Sequence, residues 1–172
     1  DHFVTDAMQR GIDLEPRALA QFTVDTGLQV RQIGFAMDDG GRWGCSPDGL
    51  VDGGGVEVKC MGLVNHLDAI ESHIVPPDYF LQMQASMWIC GAPVWHFMAF
   101  TDAAGIPCDT WPLKADVALH ARFAEILPAF CDDLDAMEAT FRAMGGGVAV
   151  LDAASVATDN SAGLFSDDTG KK

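Results

Sequence analysis

The chain has 172 residues, 49% of them hydrophobic, and its 25 Asp and Glu outnumber 10 Lys and Arg for a net charge of −15. That length and apolar content exclude intrinsic disorder for the bulk and imply one acidic, soluble domain able to bury a core without metal or disulfide staples. No apolar run approaches the ~20 residues of a membrane span, and Asp1-His2-Phe3-Val4 shows no basic-then-apolar secretory signal.

In chain order, periodicity predicts helices over 3–10 and 16–25, with Pro16 in a first turn and Gly27 as the stop. The missing initiator Met implies residues upstream of Asp1. Residues 28–37 alternate loosely as a strand, and Asp38-Asp39-Gly40-Gly41 turns the chain. Strands at 43–51 and 56–60 then make a hairpin around Asp52-Gly53-Gly54-Gly55. A short helix is expected over 66–73, and a stronger one over 78–90, introduced by Pro76-Pro77 and closed by Gly91. The apolar segment 93–102 reads as a buried strand and 108–113 as an edge strand.

A long helix over 116–144 carries Phe123, Leu127, Phe130, Leu134, Met137, Phe141 and Met144 at steps of four and three, a stripe read as core packing with a bend near Pro128. After Gly145-Gly146-Gly147 the composition turns to Ala, Ser, Asp and Gly. The expected organisation is a domain over 1–146, its N-terminal part truncated, and a flexible acidic tail over 147–172. The element order implies an α/β fold with a mixed sheet flanked by helices.

The five cysteines at 45, 60, 90, 108 and 131 form no CxxC pair, which argues against a zinc ribbon or a clustered iron–sulfur site. They read as reduced thiols of an intracellular protein. His66 and His73 lack partners at zinc-ligand spacing and read as packed or exposed side chains, as the four tryptophans read as core.

The chemistry concentrates in Gly44-Cys45-Ser46-Pro47-Asp48-Gly49-Leu50-Val51 and Gly55-Val56-Glu57-Val58-Lys59-Cys60. Strand alternation puts Glu57 and Lys59 on one face. A turn centred near Gly53 and Gly54 would set residue 48 opposite residue 59, bringing Asp48 to the same corner. Two carboxylates and the Val58 carbonyl suit Mg²⁺ or Mn²⁺, and Lys59 suits orienting a water or stabilising a phosphate oxygen. A bare Glu-x-Lys is too short to be specific and is most often a surface ion pair of less than ~1 kcal/mol.

The longer pattern SPDGLV, GGVEVKC and YFLQMQASMWICG, preceded by Glu15 in RGIDLEP, resembles the YqaJ-type viral recombinase and phage lambda exonuclease family of the PD-(D/E)XK nuclease superfamily. The resemblance runs from about Arg10 to Asp102 and continues loosely in EILPAF of the last helix. It implies a restriction-endonuclease-like fold, Asp48 and Glu57 as metal ligands with the Val58 carbonyl, Lys59 as the catalytic lysine, and Glu15 near the metal. Gln82 resembles the first glutamine of the family's QxQ motif. Helix spacing places Tyr79, Gln82, Met83 and Ser86 on one face and leaves Gln84 to a structural role.

The resemblance further implies a Mg²⁺-dependent exonuclease, with Mn²⁺ substituting, acting on double-stranded DNA from the 5′ end in phage-type recombination. It would act as a homotrimer with a single-strand annealing partner in the cytoplasm of a bacterial host. The same site would serve an endonuclease or a single-strand exonuclease, and the fold could instead carry a catalytically silent DNA- or protein-binding module. The acidic balance is spread through the domain, so DNA contact is expected from a local patch, with Arg10, Arg17, Arg31 and Arg42 as candidates. Met61 stands where the family has proline, and the family's basic upstream helix would precede Asp1.

Overall fold

Helix α1 (Asp6–Thr26) is continuous where the sequence predicts two helices. Thr5 caps it by accepting the Met8 amide, and Gly27 closes it with φ 75°. Pro16 therefore lies inside the helix, at a cost of about 3 kcal/mol. Burial outweighs that cost, because each large apolar side chain taken from water contributes roughly 1.5–3 kcal/mol and Leu14, Leu19 and Phe22 are all buried on one face. The coordinates are a computed structural model that describes residues 5–145. The tail expected over 147–172 lies outside the described residues.

Short strands β1 (Ala36–Met37) and β2 (Gly44–Cys45) pair antiparallel as a separate ribbon. The main sheet is β3 (Gly49–Val51), β4 (Gly54–Lys59), β5 (Val94–Ala99) and β6 (Asp109–Lys114), in that order. Pairing is antiparallel between β3 and β4, parallel between β4 and β5, and antiparallel between β5 and β6. The parallel step needs a crossover, supplied by α2 (Leu63–Ser72) and α3 (Pro77–Cys90), which Gly91 ends. The expected strand over 28–37 is largely absent. Only Arg31 bridges to Leu50 on the outer edge of β3, and Gly34 interrupts the alternation before β1. The opposite edge, β6, holds Pro112, whose missing donor suits an edge strand.

The core lies between α1 and the sheet: Leu14, Ala18, Leu19 and Phe22 meet Val51, Val56, Val58, Met98 and Phe100. Gly54 and Gly55 make the hairpin fit against β5, since a Cβ at 54 would stand 2.2 Å from the Val94 carbonyl oxygen and one at 55 would stand 2.4 Å from the Trp95 ring.

The chain divides into two units, residues 1–129 and 130–172, and their boundary falls within α4 (Val117–Ala143), which continues through Pro128. The first unit holds every candidate site residue. In the second, Phe130, Leu134, Met137, Phe141 and Met144 are exposed, and α4 buries no residue fully. The expectation that the whole stripe is core is thus corrected. A helix of this length spans about 40 Å, twice the length of a six-residue strand, so periodicity fixes a face without fixing what covers it.

Candidate active site

The hairpin register differs from the predicted one: Gly49 pairs with Val56 and Val51 with Gly54, so the turn is centred on Asp52 and Gly53 and position 48 runs alongside 57 rather than 59. Gly53, at φ 73°, supplies the left-handed residue of this turn. Asp48 is consequently held by the middle of β4, with the Val58 amide donating to its Oδ2 at 2.7 Å.

Glu57 and Lys59 share a face of β4 as alternation requires. Lys59 Nζ stands 2.5 Å from Glu57 Oε1, and Gln82 Nε2 of α3 donates to the same oxygen at 2.8 Å. The second oxygen, Oε2, is buried and has no hydrogen-bond partner among the described residues. Burial is the leading cause that raises the Glu57 carboxyl above the ordinary carboxylate range, followed by the Asp48 charge, while Lys59 and Gln82 pull it down.

Asp48 is likewise raised, chiefly by burial, against the opposing Val58 amide and Lys59. Glu15 of α1, partly buried, accepts from Gln32 Nε2 at 3.2 Å; burial and then the Asp48 charge raise it. Lys59 also lies over the Tyr79 ring, 4.8 Å from its centroid, and Tyr79 stacks on Phe97 of β5 at 5.9 Å. Tyr79 is a contact that motif reasoning passed over, although its spacing from Gln82 placed both on one helix face.

A cleft of about 490 Å³ is lined by Glu15, Asp48, Val58, Lys59 and Tyr79, with Met8 and Gly11 of α1 beside Glu15. Glu57 and Gln82 do not line it: Glu57 is buried and reaches the cleft through Lys59. Among the described residues no three Asp, Glu, His or Cys side chains stand gathered around one point. Each carboxylate is held by its own protein donor. The donor chemistry nevertheless fits a hard divalent cation, because it is all oxygen, the Asp48 charge raises both Glu15 and Glu57, and Glu57 Oε2 is a buried acceptor that no described residue hydrogen-bonds.

Other candidates separate from this centre. Gln84 is buried, donates to the Lys114 carbonyl at 2.9 Å and accepts the Asp116 amide at 2.8 Å, tying β6 to the start of α4. His66 is fully buried with Nε2 donating to the Pro107 carbonyl, which removes it from any contact with DNA. His73 packs at a tilt against Trp111, with ring centroids 4.8 Å apart. Arg10 and Arg17 both pair with Asp102, at 3.0 and 3.6 Å, and thereby share a position. Trp95 and Trp111 are core, while Trp43 and Trp88 are half-buried and pack together at 5.2 Å.

The family model of the YqaJ-like viral recombinase domain matches residues 1–93. No curated protein matches the chain. Among solved structures, the alkaline exonuclease LHK-Exo from Laribacter hongkongensis is 31% identical with TM-score 0.75, over 84% of this chain and 76% of that one. The same exonuclease in complex with dAMP gives 32% identity and TM-score 0.74 over 84% and 77% of the two chains. A phage-related exonuclease from Haemophilus somnus 129PT, at 17% identity and TM-score 0.62 over 80% and 75%, agrees in fold. With the mixed sheet and flanking helices of that nuclease fold, the chain belongs to the YqaJ-like viral recombinase domain family, as an exonuclease of the alkaline-exonuclease kind.

Proposed function

We propose that this exonuclease hydrolyses double-stranded DNA from the 5′ end, using Mg²⁺, with Mn²⁺ able to substitute. The observation that carries the reading is the buried, unpartnered Glu57 Oε2 beside Lys59, with Asp48 and Glu15 facing the same cleft. Asp48, Glu57, the Val58 carbonyl and Glu15 would hold the ion. When bound, it supplies Lewis acidity toward a phosphate oxygen and a nucleophile active at neutral pH.

The chain's own groups do the rest. Gln82 fixes the Glu57 carboxylate and the Val58 amide fixes Asp48, so both acceptors are oriented before substrate arrives. Lys59 exchanges its Glu57 contact for the attacking water or the scissile phosphate, where its ammonium meets the charge that develops on phosphorus-bound oxygen. The water oxygen bonds to phosphorus as the P–O3′ bond breaks, and O3′ leaves with a proton. Tyr79 limits where Nζ can move during that exchange.

The binding of dAMP by LHK-Exo supports a nucleoside monophosphate product. Duplex preference, 5′ polarity, a homotrimer, an annealing partner and a cytoplasmic setting in a phage-bearing host come from the family resemblance. The test is degradation of linear duplex DNA labelled at one end, with and without a 5′ phosphate, by wild type and Lys59→Ala in Mg²⁺ and in EDTA. Mg²⁺-dependent loss from the 5′ end that disappears in the variant is expected. Loss from the 3′ end, internal nicking, or cleavage unaffected by EDTA would overturn the reading.

A further inference from the structure

Two thiols outside the cleft stand close enough to react with each other. Cys45 on β2 and Cys90 at the last position of α3 are free, half-buried and separated by 3.9 Å between Sγ atoms. α3 packs directly on the β1–β2 ribbon. Closing the pair to the ~2.05 Å of a disulfide joins side chains of two elements that already pack on each other. Neither residue lines the cleft.

We propose that Cys45 and Cys90 form an oxidisable pair, and that the disulfide made by a peroxide staples the catalytic segment without closing the site. The two cysteines are 45 positions apart. The segment between them contains Asp48, Glu57, Val58, Lys59, Tyr79 and Gln82, so one bond would tie off nearly the whole catalytic set in a covalent loop. Of the residues argued to hold the ion, only Glu15 comes from outside it.

The chemistry balances with hydrogen peroxide as oxidant. The Cys45 thiolate attacks one peroxide oxygen, the O–O bond breaks, and the departing hydroxide takes up the proton that the thiol released and leaves as water, giving a sulfenic acid. Cys90 sulfur then attacks the Cys45 sulfur, the S–OH bond breaks, and a second water departs. Two thiols lose two electrons and two protons, and one peroxide becomes two waters. The order of attack follows from the surroundings: the hydrogen bonds with Cys90 and then Ser86 hold the Cys45 thiol below its ordinary value, against the raising effects of burial and of the Glu57 charge.

A loop of this length, closed covalently in the unfolded chain, loses enough chain entropy to raise Tm on the order of 10 °C. The proposal stands on thiol geometry and is independent of the metal reading. The test treats the full chain with hydrogen peroxide, maps thiols by mass spectrometry without reduction, and follows Tm in wild type, Cys45→Ser and Cys90→Ala. Expected are a loss of about 2 Da located to a Cys45–Cys90 peptide, a higher Tm reversed by dithiothreitol in wild type only, and retained nuclease activity. A bridge involving Cys60 or Cys108, oxygen added at Cys45 with no bridge, a bridge with no rise in Tm, or a bridge that abolishes activity would each overturn it. The mapping on wild type decides the linkage even if a cysteine variant fails to fold.

Discussion

Gln82 Nε2 and Lys59 Nζ converge on a single oxygen of Glu57, at 2.8 and 2.5 Å, and leave the other oxygen buried and without a partner among the described residues. On the proposed mechanism, the side chain that orients Glu57 is distinct from the one that would move in the reaction. Gln82→Ala should lower activity roughly 10- to 100-fold, the usual effect of losing an outer hydrogen-bond partner of a ligand. It should also raise the Mg²⁺ concentration needed for half-maximal rate. A Mg²⁺ titration of duplex degradation measures both, and an unchanged midpoint would assign Gln82 to another task.

Lys59→Ala should reduce kcat by about 10²–10³-fold, as expected when a preorganised donor to developing charge is removed. Lys59→Arg should not restore it, because a planar guanidinium cannot replace a compact ammonium between Glu57 and the Tyr79 ring. Single-turnover kinetics with saturating DNA isolates the chemical step.

Tyr79 contributes a ring face, and its hydroxyl is not needed for that contact. Tyr79→Phe should keep near wild-type kcat, whereas Tyr79→Leu should lose roughly 2- to 30-fold, the rate equivalent of a ~0.5–2 kcal/mol cation–π contact. The loss should appear in kcat with KM unchanged. Equal losses in the two variants would remove the ring from the account of Lys59.

Burial raises the carboxyls of Glu57 and Asp48 in the folded state. Their stabilising contribution is complete below the unfolded carboxylate range and is lost as pH climbs through the raised folded values, beyond which the ionised pair opposes folding. Asp48→Asn should accordingly raise the Tm of the metal-free protein at neutral pH by roughly 2–4 °C, the shift that about 1 kcal/mol produces in a chain of this size. The Asn carbonyl can still accept from Val58. The gain should vanish below the carboxylate range, and in Mg²⁺ the wild type should recover the difference. Thermal melts against pH in EDTA and in Mg²⁺ provide the comparison.

Gly54→Ala should destabilise by about 1–3 kcal/mol, the range of an overpacked site. The new methyl meets a backbone carbonyl at 2.2 Å, and moving that carbonyl disturbs the parallel pairing of β4 and β5. A fall in Tm with loss of nuclease activity at elevated temperature is the expected result.

Local and periodic features were legible in the sequence: the helices closed by Gly27 and Gly91, the shared face of Glu57 and Lys59, and the different helix faces of Gln82 and Gln84. Each depends on spacing within one element, where 3.6 or 2 residues per repeat settles the side. The motif around Asp48, Glu57 and Lys59 also carried the family. What tertiary structure alone decided lies between elements. The hairpin register shifted by two because the Asp52-Gly53 pair forms the turn and lets Gly54 and Gly55 lie close beside β5, a constraint set by Val94 and Trp95 some forty positions away. Pro16 stayed inside α1 because the core face of that helix outweighed a local penalty, and the stripe on α4 stood exposed beyond Pro128 because periodicity marks an apolar face without supplying its partner. The Lys59–Tyr79 and Cys45–Cys90 contacts belong to the same class, since each joins side chains from two elements whose approach is fixed only when the sheet and α3 pack together.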